Sequence, residues 1–369
     1  MKNTQNKVRL LALYLPQFHP IKENDTWWGP GFTEWTNVGK AKKYFRGHYQ
    51  PRVPADLGYY DLRVPETRQA QADMAKEYGI EGFLYWHYWF GNGKRLLERP
   101  FHEVLLSGEP NFPFALAWAN ETWKGFQHGL KNRNVLIEQE YPGDEDYINH
   151  FNTILPALKD KRYIKVNGKP LFMVYKPQQL PDAKHFIDLW QSLAKENGLP
   201  GVYFVAHTMG KSEYHGQQEK DTLAQMLADG FDAVNFVRLG GYLEQRTFIN
   251  KVLRRIIKIF RGVPLAYSYK KVYPFFSNSI DCDKRVIPSI IPGWDHSPRS
   301  GKNGHILTGS NPKLFKKHVD HVFESVKNKP EEERLIIVKS WNEWAEGNYM
   351  EPDLKFGRQF LEVLGDKLK

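Results

Sequence analysis

Two glutamates, Glu343 and Glu346, stand three residues apart in the stretch Trp341-Asn342-Glu343-Trp344-Ala345-Glu346-Gly347. On a helical first turn, side chains at i and i+3 share a face, with Cβ atoms about 5–6 Å apart. Paired carboxylates in retaining glycoside chemistry are separated by about 5–5.5 Å. The spacing therefore suits proton transfer at a glycosidic bond. The flanking tryptophans suit a sugar as well, because its C–H faces stack on indole while its hydroxyls take hydrogen bonds.

A carboxylate pair needs a rigid platform, and the chain offers one. Directly before the motif runs Leu335-Ile336-Ile337-Val338-Lys339-Ser340, an apolar β-rich run. Similar runs predict strands over Arg9–Tyr14, Gly82–Trp86, Phe114–Trp118, Pro170–Tyr175, Val202–Ala206, Ala233–Phe236 and Val286–Ile291. Several are continuously hydrophobic, as parallel strands buried on both faces must be. Helix-like segments alternate with them. Pro65–Tyr78 stops at Gly79, Asp144–Leu158 opens acidic, Pro181–Asn197 ends at Gly198, and Pro312–Asn328 precedes Pro330. Eight strands alternating with helices predict an α/β fold, a (β/α)8 barrel, as one domain over residues 1–369. Long segments after the first strand (Pro16 to Pro65) and the sixth (Leu239 to Lys284) would lie over the mouth.

The strand ends share a character. The first ends at Tyr14, the second at Trp86, His87 and Tyr88, the third at Trp118, Asn120 and Glu121. Tyr175 follows the fourth, His207 the fifth, Trp294 and Asp295 the seventh, and Trp341 and Asn342 the eighth. In a barrel of this kind the C-terminal strand ends converge on one mouth. These residues are the candidate substrate-binding set, with Glu343 and Glu346 the catalytic pair. Taken singly, each aromatic also reads as core, Asn120-Glu121 as a helix cap, and the glutamates as a solvated first turn.

Composition narrows the classes. The 369 residues are 41% hydrophobic and 14% aromatic, with a formal charge of +10. No stretch approaches the length of a membrane-spanning helix, and Leu10–Leu15 is too short for a signal peptide, so a cytoplasmic protein is expected. The one cysteine, Cys282, excludes an internal disulfide. There is no His-Glu-x-x-His, phosphate loop, dinucleotide fingerprint or Gly-x-Ser-x-Gly elbow, so neither metal nor cofactor is expected. Asp281-Cys282-Asp283 is the one fragment with a metal-binding look. Nucleic acid is not an expected partner, for the chain lacks a clustered basic-aromatic module. Lys251 to Arg261 is different. Its cations recur at helical spacing opposite an apolar side, which fits either a barrel helix or peripheral contact with an anionic membrane.

With these residues laid out, the chain resembles the WbsX-type glycosyltransferases of bacterial surface-polysaccharide gene clusters, in the glycoside hydrolase family 99-like group. The motifs are Tyr14-Leu15-Pro16-Gln17-Phe18-His19, Trp27 to Asn37, Tyr85 to Phe90, Trp118-Ala119-Asn120-Glu121 and Trp341 to Gly347. The resemblance implies a (β/α)8 barrel acting on carbohydrate. It implies that Glu343 deprotonates a sugar 2-hydroxyl, giving a 1,2-anhydro intermediate. Glu346 then protonates the leaving oxygen and later activates the acceptor. Ala345 stands where the hydrolase branch carries His, so hydrolase specificity does not transfer. The expected function is a cytoplasmic, retaining glycosyl-transferring enzyme of polysaccharide or lipopolysaccharide O-antigen assembly. Its partner would be a glycan or lipid-linked oligosaccharide. The alternatives are a hydrolase of α-linked glycans and a non-catalytic glycan-binding barrel.

Overall fold

The computed structural model describes residues 8–125, 130, 134–209, 218–240, 260 and 262–368. Eight strands form its centre: β1 (Arg9–Tyr14), β2 (Ile80–Trp89), β3 (Phe114–Trp118), β4 (Lys169–Val174), β5 (Tyr203–Thr208), β6 (Ala233–Phe236), β7 (Val286–Ile290) and β8 (Leu335–Val338). Each pairs in parallel with its neighbours, and β1 bonds both β2 and β8, so the sheet closes on itself. This is the (β/α)8 barrel that the sequence predicts. The strands are almost wholly buried, which explains their apolar runs: β3 reads Phe-Ala-Leu-Ala-Trp with every residue inside.

The limits of β1, β3 and β6 fall where the sequence places them. β2 differs, continuing through His87 to Trp89. Its aromatic run stays in the ladder because His87 pairs with Trp118 and Trp89 pairs with Arg95. Side chains there must therefore alternate between the barrel interior and the helical layer.

The helices used below are α1 (Glu34–Gly39), α2 (Pro65–Glu77), α3 (Asp144–Leu158), α4 (Ala183–Glu196), α5 (Ser297–Ser300) and α6 (Pro312–Val326). Their ends follow local chemistry. Asp182 caps α4 by accepting from the His185 amide at 2.9 Å, and Asn311 caps α6 through the Leu314 amide at 3.1 Å. The long segment after β1 carries α1 across the mouth. Of the basic segment Lys251 to Arg261, all but Phe260 lies outside the described residues. No helix among the described residues is long and apolar enough to cross a membrane.

Candidate active site

The motif after β8 does not begin an α-helix. Asn342–Glu343 forms a two-residue strand paired antiparallel with Asn348–Tyr349, and Trp344–Glu346 makes a 3₁₀ turn between them. Hydrogen bonds impose this hairpin. Asn342 accepts from the Leu15 amide at 2.7 Å and donates to the Leu15 carbonyl at 3.0 Å. The Ser340 hydroxyl donates to the Asn348 carbonyl at 3.0 Å and accepts from the Glu343 amide at 3.2 Å. Gly347 closes the turn at φ 57°, and a Cβ there would stand 2.7 Å from that of Asp295. A 3₁₀ turn eclipses residues i and i+3, so the glutamates still share one side.

Both carboxylates converge on one guanidinium. Arg299, on the short helix α5, donates to Glu346 at 2.5 Å, to Glu343 at 3.1 Å and to Glu34 at 3.2 Å. Glu34 opens α1, whose cap is Thr33, and it accepts at 3.4 Å from Asn37. His296 Nε2 lies 3.6 Å from Glu346, while its Nδ1 meets the Ser300 hydroxyl at 2.8 Å.

The electrostatics follow from burial. Loss of water is the main force on Glu343, the charge of Glu346 adds to it, and Arg299 and Lys339 oppose it. The net effect pushes the Glu343 carboxyl up to about 7. Burial also works against the Arg299 charge, yet Glu34, Glu346 and Glu343 outweigh it and hold that guanidinium above its usual range. Burial lowers His296 to about 4, leaving a neutral imidazole.

The turn rests on a second buried carboxyl. Trp344, between the two glutamates, stacks on Tyr349 with ring centroids 3.8 Å apart and donates from its indole to Glu351 at 2.6 Å. Glu351 also accepts from Gln71 at 2.6 Å and Tyr60 at 2.9 Å. Burial pushes it up to about 7 against these bonds.

The proposed binding residues divide by strand alternation. Trp86, Tyr175 and His207 form one cluster, with centroids 5.3 Å apart for Trp86–Tyr175 and for Tyr175–His207. Tyr88, two residues beyond Trp86 on the same face, feels the charge of Glu343. Trp294 lies under the Lys339 ammonium at 5.7 Å and stacks beside His296. Glu121 pairs with Lys176 at 3.0 Å.

The others turn elsewhere. His87 bonds His150 of α3 at 2.8 Å, so it faces the helical layer rather than the mouth. Tyr14 donates to Gln71 of α2 at 2.7 Å. Trp118 donates to the Trp89 carbonyl at 2.8 Å and packs on Phe186 of α4. Trp341 is fully buried against Phe83. Asn120 holds the Lys176 backbone at 2.7 and 2.8 Å, and Asn342 holds Leu15. Asp295 accepts from His48, Gln50 and Ser297; these and Arg52 overcome burial and keep its carboxyl below the usual range. These seven are fastened within the protein and position the mouth. The Asp-x-Asp fragment is likewise spent, Asp281 on Arg238 and Asp283 on Arg285, each at 2.7 Å. Among the described residues no cluster could hold a metal ion.

Sequence reasoning missed Arg299, Glu34 and Lys339. Glu34 carried a signal, since Glu34-Trp35 repeats the Glu343-Trp344 pairing inside a motif already singled out. Arg299 carried none, because its partners lie 44 and more residues away in sequence.

A family model described as Glycosyltransferase WbsX matches residues 10–364. Two curated relatives, each called "Uncharacterized protein WxcX", come from the B100 and ATCC 33913 strains of Xanthomonas campestris pv. campestris. They are 34% and 35% identical over 357 residues. These matches cover 96% of this chain and 48% of each relative, so the chain spans about half the length of the curated relatives it matches. Among solved structures, a "Glycoside hydrolase-like protein" superposes with a TM-score of 0.57 at 15% identity, covering 100% of this chain and 95% of the other. A GH99 endo-alpha-mannosidase from Bacteroides thetaiotaomicron gives 0.56 at 15%, covering 99% and 97%. At such identity the likeness is one of fold.

Proposed function

Because the chain belongs to the WbsX glycosyltransferase family, we propose that it is a retaining glycosyl-transferring enzyme of bacterial surface-polysaccharide assembly. The observation that carries this reading is the convergence of Glu343 and Glu346 on Arg299 at the mouth of a barrel. Glu343 takes the proton of the donor sugar's 2-hydroxyl, and that oxygen attacks the anomeric carbon. Glu346 gives a proton to the departing oxygen. An acceptor hydroxyl then loses its proton to Glu346 and opens the anhydro ring, while Glu343 returns its proton to the 2-oxygen. Two inversions leave net retention. A base poised near 7, as Glu343 is, suits the first step at neutral pH. Trp86, Tyr88, Tyr175 and Trp294 supply the aromatic faces.

We place the enzyme at the cytoplasmic face of the membrane, with a lipid-linked oligosaccharide as its partner. The net charge of +10 and the cation spacing of Lys251 to Arg261 support this. So does Phe260, on the apolar side of that segment and 84% exposed. The test compares donor plus lipid-linked acceptor with glycan alone. An elongated product is expected. Reducing sugar released from glycan alone, without elongation, replaces transfer by hydrolysis. Glycan binding without turnover, unchanged by Glu343→Gln and Glu346→Gln, makes the barrel a binding module.

A further inference from the structure

Beside the turn that carries the two glutamates lies a cavity of about 120 Å³ bordered by Arg52, Asp295, Gly347, Glu351, Asp353 and Lys355, with Arg299, Glu343 and Glu346 outside its lining. A cavity of about 150 Å³ holds a benzene molecule, so this one has room for a group of five or six heavy atoms. Its acceptors are already used. Asp295 takes four donors from His48, Gln50 and Ser297. Asp353 takes the Tyr349 hydroxyl and the amides of Lys355 and Phe356. Glu351 takes Gln71, Tyr60 and Trp344.

The donors are not. Arg52 donates from Nη1 to the Gly347 carbonyl at 3.0 Å, shares a side-chain hydrogen bond with Tyr349 and feels the charges of Asp295 and Asp353, but its buried Nε has no partner. Among the described residues neither Arg52 nor Lys355 has a carboxylate within ion-pair distance. The Lys355 ammonium instead stands 4.5 Å over the Tyr49 ring and 4.7 Å over that of Phe356. A small site whose acceptors are satisfied, and which keeps an unpartnered Arg52 Nε and a Lys355 ammonium outside ion-pair distance of any described carboxylate, suits a ligand that brings acceptor oxygens and negative charge.

We propose that this cavity is a second ligand site, which binds an oxyanion, the phosphate or carboxylate group of a small molecule, through Arg52 and Lys355. The occupant would brace the Gly347 carbonyl through Arg52, and with it the turn that carries Glu346. The site stands independently of the glycosyl-transfer reading, for none of its contacts uses Glu343 or Glu346.

Calorimetric titration of the full chain with inorganic phosphate, and separately with glucuronate, tests it. Saturable single-site binding of at least one probe is expected, and which one binds tells a phosphate source from a sugar carboxylate. Lys355→Met, an exposed position that folding tolerates, should weaken binding roughly tenfold. Arg52→Gln should abolish it, and Glu346→Gln should leave it unchanged. Absence of saturable binding by either probe overturns the proposal. So does binding that both Lys355→Met and Arg52→Gln leave intact, and so does loss of binding in Glu346→Gln, which would put the anion in front of the turn.

Discussion

Arg299 fixes the charge state of the mouth, because three carboxylates share its single positive charge. Arg299→Met removes the cation and leaves Glu34, Glu343 and Glu346 facing one another. Repulsion then drives the Glu343 carboxyl further up from about 7. The expected outcome is turnover reduced by at least about 10²-fold, with its alkaline rise displaced to higher pH. A pH–rate profile of the variant checks this, and an unmoved profile removes Arg299 from the chemistry. Glu343→Gln and Glu346→Gln should each cost about 10²–10⁴-fold in turnover while glycan binding persists, as read by initial rates beside a binding titration. Gly347→Ala tests the turn itself. Its Cβ would meet Asp295 at 2.7 Å and the Arg52 guanidinium carbon at 3.0 Å, at a φ of 57°. A loss of about 1–3 kcal/mol in stability is expected, together with lowered activity, by denaturant titration and rate assay.

At the scale of elements, strand alternation decides which side chains face the barrel interior. Reading strand ends as blocks placed Trp86, His87 and Tyr88 together. The extended β2 sends Trp86 and Tyr88 inward and His87 outward to His150. The run of aromatics was legible, but its phase was not, because both faces of a barrel strand are buried and apolar content does not alternate. Tyr14, Trp118 and Trp341 follow the same logic. His87→Ala should therefore cost about 1–3 kcal/mol by leaving the His150 nitrogen unpaired, with KM for glycan unchanged. A raised KM would return His87 to the mouth. The turn that carries Glu343 and Glu346 was legible in a different way. The i, i+3 spacing was right in consequence, yet the turn is 3₁₀ within a hairpin. Asn342 with Leu15 and Ser340 with Asn348 dictate that shape, and no local helical signal reports on the first of these, which spans 327 positions.

For the whole molecule, the buried titratable groups act in opposition. His87, His207 and His318 are held down to about 3 and His296 to about 4 by burial. The unfolded chain takes up protons there that the folded one refuses, so stability falls as pH drops below about 6.5. Glu343 and Glu351, pushed up to about 7, act the other way. Their folded forms keep protons that the unfolded chain has released. Their contribution is present below about 4.5 and lost as pH rises through 7. Glu351→Gln isolates one such group. Its amide can replace the protonated carboxyl if Gln71 turns over, and it carries no charge at any pH. The stability of the variant relative to the parent should grow by about 3 kcal/mol between pH 4.5 and 8, by urea unfolding at each pH. A constant difference would place the ionised form of Glu351 in the native state.

The bonds between Asn342 and Leu15 have a consequence in time. The first strand emerges well before the hairpin that carries both glutamates, since Leu15 and Asn342 stand 327 positions apart. At about 5–20 residues per second, β1 waits tens of seconds for the segment that anchors to it. Throughout that interval the nascent chain has no carboxylate pair, and Arg299 has only Glu34 to meet. Glu343 and Glu346 thus come together on Arg299 only in the step that closes the barrel.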